Sequence, residues 1–289
     1  MPITEKIDKI PYELTHCSSN LRGACNRDPG AMYRMREMSH HMHNTPSSTY
    51  AWGSWGWTIL RTVYDKESDA LFPAAIEKLR RWVVGYWIHY GRFCGFGEPD
   101  IARAEKKADG SVNDALGERL RFEVLEDRER LNMPDLGKTT AEDIQTLCNR
   151  FHKWVASVGE DPDTRPPADP RLVNFVVVDA ESLRALASVP ENVLPHGVAA
   201  DREEFIRRRY SPCYAGYAWL VDHRAVKLYR EGVQVNPRRR GWMKIGSEQL
   251  DDAWSQLVGL LMMGDGGAMI ECSDSGEGSG EFWYSDSVF

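Results

Sequence analysis

The sequence lacks the motifs from which an activity, a cofactor or a compartment is usually recognised. None of its six cysteines forms a Cys-x-x-Cys pair, the spacing typical of zinc and redox sites. It contains no Asn-x-Ser/Thr sequon and begins without a signal-peptide pattern, and no apolar run approaches the roughly 18 residues of a membrane span. We therefore expect an intracellular, cytoplasmic protein with reduced thiols and no membrane association.

The chain also lacks an excess of basic charge: Asp and Glu (43) outnumber Lys and Arg (36), which gives a formal net charge of −7, so we do not expect nucleic acid as a partner. Residues 136–140 (LGKTT) resemble the end of a phosphate-binding loop, but Asn132 stands where its first glycine belongs. Residues 276–280 (GEGSG) follow no predicted strand, and the histidines of residues 40–43 show no repeated ligand spacing. These absences predict no organic cofactor and no metal site.

Composition divides the chain into three parts. Residues 1–50 are polar and aperiodic, and we expect them to be disordered or an extended arm. Residues 51–263 carry the apolar patterns and are predicted to form a single domain. Residues 264–289 are acidic and rich in glycine and serine, and are predicted to be a flexible tail.

Hydrophobic periodicity predicts both strands and helices in the central part. We predict strands at residues 57–64, 119–127, 172–179, 217–222 and 241–245. We predict helices that start at Pro73, after a capping box of Thr139 and Glu142, at residue 180 and after Ser247. Strands and helices do not alternate strictly, which predicts an α+β fold: a single two-layer sandwich with a mostly antiparallel sheet and helices packed on one face.

Arginine 61 is the most informative residue of the first predicted strand. Alternation along residues 57–64 places Arg61 on the same buried face as Trp57, where a guanidinium needs an acid or an anion as partner. Asp179 and Asp222 each end a predicted strand, and we expect one of them to pair with Arg61. An anion-binding role for Arg61 is the alternative, while the tryptophans of this stretch are predicted to anchor the core.

The stretch at residues 207–224 has the composition of a functional site. It contains Asp222 and His223, which we name with Tyr64 as the candidate catalytic residues, and Cys213, a possible nucleophile. The candidate substrate-binding residues are Arg61, Trp57 and Asp179. The alternative for the whole stretch is a loop of structural aromatics with surface arginines.

Three segments together resemble a family of filamentous-fungal proteins. They are WGWTILRTVYDKESDALFPAAIEKL (residues 55–79), NFVVVDAESL (174–183) and GWMKIGSEQLDDAW (241–254). The family has an aromatic-Gly-aromatic-Thr-Ile-x-Arg-Thr-x-Tyr strand and a GWMK-like strand before a Trp-containing helix. The resemblance implies a fungal, intracellular setting and brings no activity with it.

Two functions of different class follow. In the first, the chain is a small-molecule enzyme or accessory protein of fungal specialised metabolism that works without a cofactor. In the second, it is a non-catalytic interaction module, regulatory or for non-self recognition, whose Trp-rich edge and acidic tail (EFWYSDSVF) bind a protein. The sequence leaves open whether the protein is catalytic, and its partner is either a small molecule or a protein.

Overall fold

A computed structural model of the chain describes residues 54–90, 117–159, 169–189, 216–234, 236, 239–250, 253–254, 257, 272–274 and 282–284. The predicted N-terminal arm and Cys213 lie outside the described residues.

The described residues form seven strands and four α-helices. The strands are β1 (Trp55–Arg61), β2 (Leu120–Leu125), β3 (Asn174–Val178), β4 (Tyr217–Asp222), β5 (Trp242–Gly246), β6 (Cys272–Asp274) and β7 (Phe282–Tyr284). The helices are α1 (Lys66–Tyr90), α2 (Ala141–Ser157), α3 (Ala180–Ser188) and α4 (His223–Arg230), with short 3₁₀ turns at Leu136–Lys138, Pro170–Leu172 and Ser247–Gln249. All five predicted strands are present within a few residues of their expected bounds, and the α+β class is confirmed.

The seven strands form one mixed sheet in the order β2-β1-β3-β4-β5-β7-β6. β1 runs parallel to both β2 and β3, and β5 runs parallel to β7, while the other three pairings are antiparallel. The sheet therefore differs from the mostly antiparallel one that we expected. The reason is that α1 and α2 are crossover connections, which return the chain to the same end of the sheet before the next strand begins.

Helices cover both faces of the sheet, whereas the prediction placed them on one. On the first face α1 and α3 pack against alternate residues of β1 and β3, such as Trp57 and Val176. On the second face α2 and the start of α4 pack against the intervening residues, such as Leu60 and Phe175. Parallel strands buried on both faces need this double cover, and every residue of β1 and β3 is buried accordingly.

The alternation predicted for the first strand is confirmed. Trp55, Trp57, Ile59 and Val63 all belong to the core of the first face. Gly56 allows β2 to approach closely, since a Cβ at this position would lie 1.9 Å from the carbonyl oxygen of Arg121, and its φ of +141° is rarely adopted by other residues.

Two helix starts differ from the prediction. Helix α1 begins ahead of Pro73, because the Asp65 carboxylate accepts a hydrogen bond from the backbone N–H of Ser68 at 2.7 Å and so caps the helix. Helix α2 is capped by a box of Thr140 and Asp143, one residue beyond the predicted one.

The segment predicted to be a flexible tail contributes to the sheet. β7 lies between β5 and β6, so Phe282–Tyr284 form an internal strand. Among the helices that the structure describes, none is long and apolar enough to cross a membrane.

Candidate functional site

Strand directions create two different edges of the sheet. At the carboxyl edge β1, β2 and β3 end together, at Arg61, Leu125 and Val178. At the amino edge these three strands begin, and the antiparallel β4 ends there because Asp222 pairs with Asn174. The predicted site residues are divided between these edges.

Arg61 lies at the carboxyl edge and is 7% exposed. Its Nε donates to the carbonyl oxygen of Val63 at 2.8 Å, and one terminal nitrogen donates to Glu126 Oε1 at 2.9 Å. The other donates to Ser68 Oγ at 3.2 Å and forms an ion pair with Asp69. The predicted need of this guanidinium for an acid is therefore confirmed, and Asp69 and Glu126 meet it.

The partners expected for Arg61 were wrong, and the topology gives the reason. Asp222 ends a strand that runs antiparallel to β3, so it lies at the amino edge, away from Arg61. Asp179 lies at the carboxyl edge but faces the second side of the sheet, where its Oδ2 accepts from the indole N–H of Trp219 at 3.0 Å and the backbone N–H of Leu136 at 2.9 Å. Its Oδ1 caps helix α3 through the backbone N–H of Ser182.

Tyr64 lies beside Arg61, with the guanidinium carbon 4.9 Å from the centre of the phenol ring. Its hydroxyl donates to the carbonyl oxygen of Arg61 at 2.6 Å and accepts from the backbone N–H of Asp127 at 2.9 Å. Burial raises the pKa of Tyr64. The hydroxyl therefore stays protonated at neutral pH and ties the end of β1 to the end of β2.

A network of alternating charges surrounds these two residues. Asp69 joins Arg61 to Arg128, whose guanidinium donates to Asp69 Oδ2 at 2.7 Å. The Arg128 hydrogen bond, followed by that of Arg61, holds the pKa of Asp69 below its usual range. We call Arg61, Tyr64, Asp69, Glu126, Asp127 and Arg128 the Arg61 cluster.

The remaining candidates occupy different places. Trp57 is fully buried, and its indole N–H donates to the carbonyl oxygen of Leu250 at 3.1 Å. Asp222 caps helix α4 by accepting from the backbone N–H groups of Arg224 and Ala225 at 3.0 and 3.2 Å. His223 is buried with its Nδ1 2.6 Å from the carbonyl oxygen of Val173. The structure thus brings Arg61 and Tyr64 together but separates them from Asp222 and His223.

Sequence reasoning missed a buried ion pair at the amino edge. Arg171 binds Asp169 through its side chain, and also donates to Ser54 Oγ at 2.8 Å, with Arg171 1% and Asp169 3% exposed. A charged pair directly before a continuous apolar strand was the available sign that these side chains become buried.

The Arg61 cluster lies where two chain connections diverge. After β1 the chain passes to α1 on the first face, and after β2 it passes to α2 on the second face. In open sheets with helices on both faces, ligands bind in the crevice beyond the carboxyl ends of neighbouring strands whose connections leave in opposite directions. β1 and β2 form such a pair, so topology and charge point to the same place.

A shallow cleft adjoins the cluster at Ser68. It is open to solvent and is lined by Val63, Asp65, Glu67, Ser68, Leu71, Ala180, Leu183 and Arg184. Its cavity volume is about 10 Å³, far below the roughly 300–1,000 Å³ of a typical small-molecule pocket.

The arrangement supports binding better than acid–base chemistry. The Arg61 cluster presents partly exposed carboxylates and a guanidinium, with Glu126 54% and Arg128 64% exposed at their side chains. The described residues include no group of histidine, cysteine and carboxylate side chains able to hold a metal ion. Burial raises the pKa of Cys148, so this thiol is not a nucleophile at neutral pH.

No family model, curated protein or solved structure significantly matches the chain. The resemblance to the fungal family therefore stays a prediction.

Proposed function

We propose that the chain binds a small polar molecule at the Arg61 cluster and serves as a cofactor-independent enzyme or accessory protein of fungal specialised metabolism in the cytoplasm. The main support for this binding site is that the chain leaves β1 and β2 toward opposite faces of the sheet at the point where the charged cluster lies. The fungal and metabolic setting rests on the sequence resemblance alone.

The exposed groups of the cluster favour a ligand that carries both charges. Glu126 offers a carboxylate for an ammonium group, and Arg128 offers a guanidinium that matches a carboxylate. Arg61 is nearly saturated by its own partners, so its role is to hold Glu126 and Asp69 in position.

The rival function, protein interaction, finds less support in the described residues. Trp55 and Trp57 are fully buried, and Phe282–Tyr284 form an internal strand of the sheet. Trp55 and Trp57 therefore offer no exposed aromatic surface to a protein partner.

Saturation-transfer NMR with a panel of amino acids, small carboxylic acids and aliphatic amines tests the proposal. We expect binding of molecules that carry both charges, and a loss of affinity of about tenfold or more in Glu126→Gln and Arg128→Gln, because each removes a charged contact. The matched control is Arg230→Gln, which removes the guanidinium 3.8 Å from Glu142 on the α2–α4 side of the molecule. Absence of binding across the panel, or equal affinity in all four proteins, would contradict the proposal.

Incubating a bound molecule with the protein, followed by mass spectrometry, distinguishes an enzyme from an accessory protein. Conversion to a new product that is lost in Glu126→Gln indicates catalysis. Recovery of the unchanged molecule indicates binding alone.

A further inference from the structure

The amino edge holds a buried pair of facing polar side chains. Asn174, the first residue of β3, lies directly opposite Asp222, the last residue of β4. They are 1% and 5% exposed respectively. Side chains at directly opposite positions of antiparallel strands have Cβ atoms about 4.5–5.5 Å apart, so the amide and the carboxyl group are neighbours.

The hydrogen bonds of this pair are incomplete when Asp222 is ionised. Asp222 Oδ1 already accepts two backbone N–H groups at the start of α4. Asn174 Oδ1 has no hydrogen-bond partner within the part of the chain that the structure describes. A carboxylate has no hydrogen to donate, so two acceptors would face each other in a buried place.

The surroundings of Asp222 supply little positive charge. Arg224, in the first turn of α4, attracts the carboxylate, but burial has the larger effect and raises the pKa of Asp222. His223 follows Asp222 directly in α4, and its ring contacts that of His152 in α2. Cys148 of α2 lies within electrostatic reach of Asp222 and of Arg230 in the last turn of α4, and its thiol is neutral because burial raises its pKa.

We propose that Asp222 is held as a neutral carboxylic acid whose Oδ2–H donates to Asn174 Oδ1, so that one proton joins β3, β4 and the start of α4. The proton comes from solvent and returns to it as the pH rises. When it leaves, the two facing acceptors repel, and the first turn of α4 loosens from the sheet. The attachment of α4 to the sheet therefore depends on protonation, at the edge opposite the proposed ligand site.

The sign of the pH dependence follows from linkage. Because the folded state binds this proton more tightly than the unfolded chain, the stabilisation is complete below the ordinary aspartate pKa of about 4 and is lost as pH rises through the folded value. Within that window the folding equilibrium constant falls by up to about tenfold for each pH unit.

The direct test is a ¹³C NMR titration of the Asp222 side-chain carboxyl carbon in the intact chain, assigned by its absence in Asp222→Asn. We expect a midpoint above the ordinary value of about 4, together with larger amide-exchange protection factors, corrected for the intrinsic pH dependence of exchange, at Arg224 and Ala225 below that midpoint than above it. A midpoint at or below the ordinary value would overturn the proposal.

Two variants supply an independent readout of stability against pH. Asp222→Asn retains an oxygen for the cap and supplies an N–H donor to Asn174, so it should remain stable as the pH rises while the wild type loses stability. The control is Asp143→Asn, since the hydrogen bonds of Thr140 lower the pKa of Asp143. This control should keep the alkaline loss of stability. An Asp222→Asn protein that follows the wild-type pH curve would overturn the proposal.

Discussion

The two edges of the sheet use charge in opposite ways. At the carboxyl edge the charges alternate over a partly exposed network that reaches from Arg61 to Arg128. At the amino edge Arg171, Asp169 and Asp222 lie below the surface, each at most 5% exposed. One edge leaves its charges accessible to solvent, and the other uses polar groups to connect strands and helix starts.

Two aspartates show what this difference does to the same functional group. Hydrogen bonds from Arg128 and Arg61 lower the pKa of Asp69 at the carboxyl edge. Burial raises the pKa of Asp222 at the amino edge, although it accepts two backbone hydrogen bonds. Solvent exposure together with cationic partners therefore keeps one carboxyl charged, and burial favours the neutral form of the other.

We expect the largest loss of stability from a substitution at the amino edge. Arg171→Met should reduce the free energy of unfolding by about 3–5 kcal/mol, because it leaves the buried Asp169 carboxylate without its ion-pair partner. Chemical denaturation measures this difference. Replacing both members, in Asp169→Leu/Arg171→Met, should recover most of the loss, because no buried charge then remains. A double variant as unstable as the single one would show that the pair contributes more than charge compensation.

A smaller loss is expected at the carboxyl edge. Arg61→Met should cost about 2 kcal/mol, because its charged hydrogen bonds disappear while Asp69 and Glu126 remain accessible to water. The same denaturation experiment applies. A cost equal to or greater than that of Arg171→Met would mean that the two edges do not differ as described.

We expect the smallest change in stability from a substitution of Asp69, and we expect it to depend on pH. The lowered pKa of Asp69 contributes stability above the ordinary aspartate pKa of about 4, and this contribution is lost as pH falls through the folded value. Asp69→Asn should therefore weaken the protein at neutral pH and flatten the acid limb of its stability curve. Thermal unfolding between neutral and acidic pH measures this limb, with Glu77→Gln as the exposed-pair control. An unchanged acid limb in Asp69→Asn would contradict the assignment.

The sequence predicted the elements better than their arrangement. Period-two alternation in β1 correctly assigned Trp57 and Arg61 to one face, because that pattern is local: Trp57 packs in the same core as Phe72, whose ring centre lies 4.6 Å from the guanidinium carbon of Arg61. Strand direction depends on how the connections cross the sheet, which no local pattern contains. For the same reason the expected pairing of Arg61 with Asp222 was wrong. β4 runs antiparallel to β3, so Asp222 lies at the opposite edge of the sheet from Arg61.

Two smaller errors, in the start of α2 and in the partners of Arg61, have different causes. The adjacent threonines Thr139 and Thr140 are each followed three residues later by an acid, so the sequence offers two capping boxes and the structure uses the second. The acids that bind Arg61 lie in the first turn of α1 and after β2, as Asp69 and Glu126. Only the parallel pairing of β1 with β2 brings Glu126 near.

Amide chemical-shift mapping with a molecule that carries both an ammonium and a carboxylate group tests the difference between the two edges most directly. The account predicts shifts at Arg61, Glu126 and Arg128, with none at Asn174 or His223. Shifts confined to the amino edge, or no shifts at ligand concentrations that saturate weak binding, would contradict it.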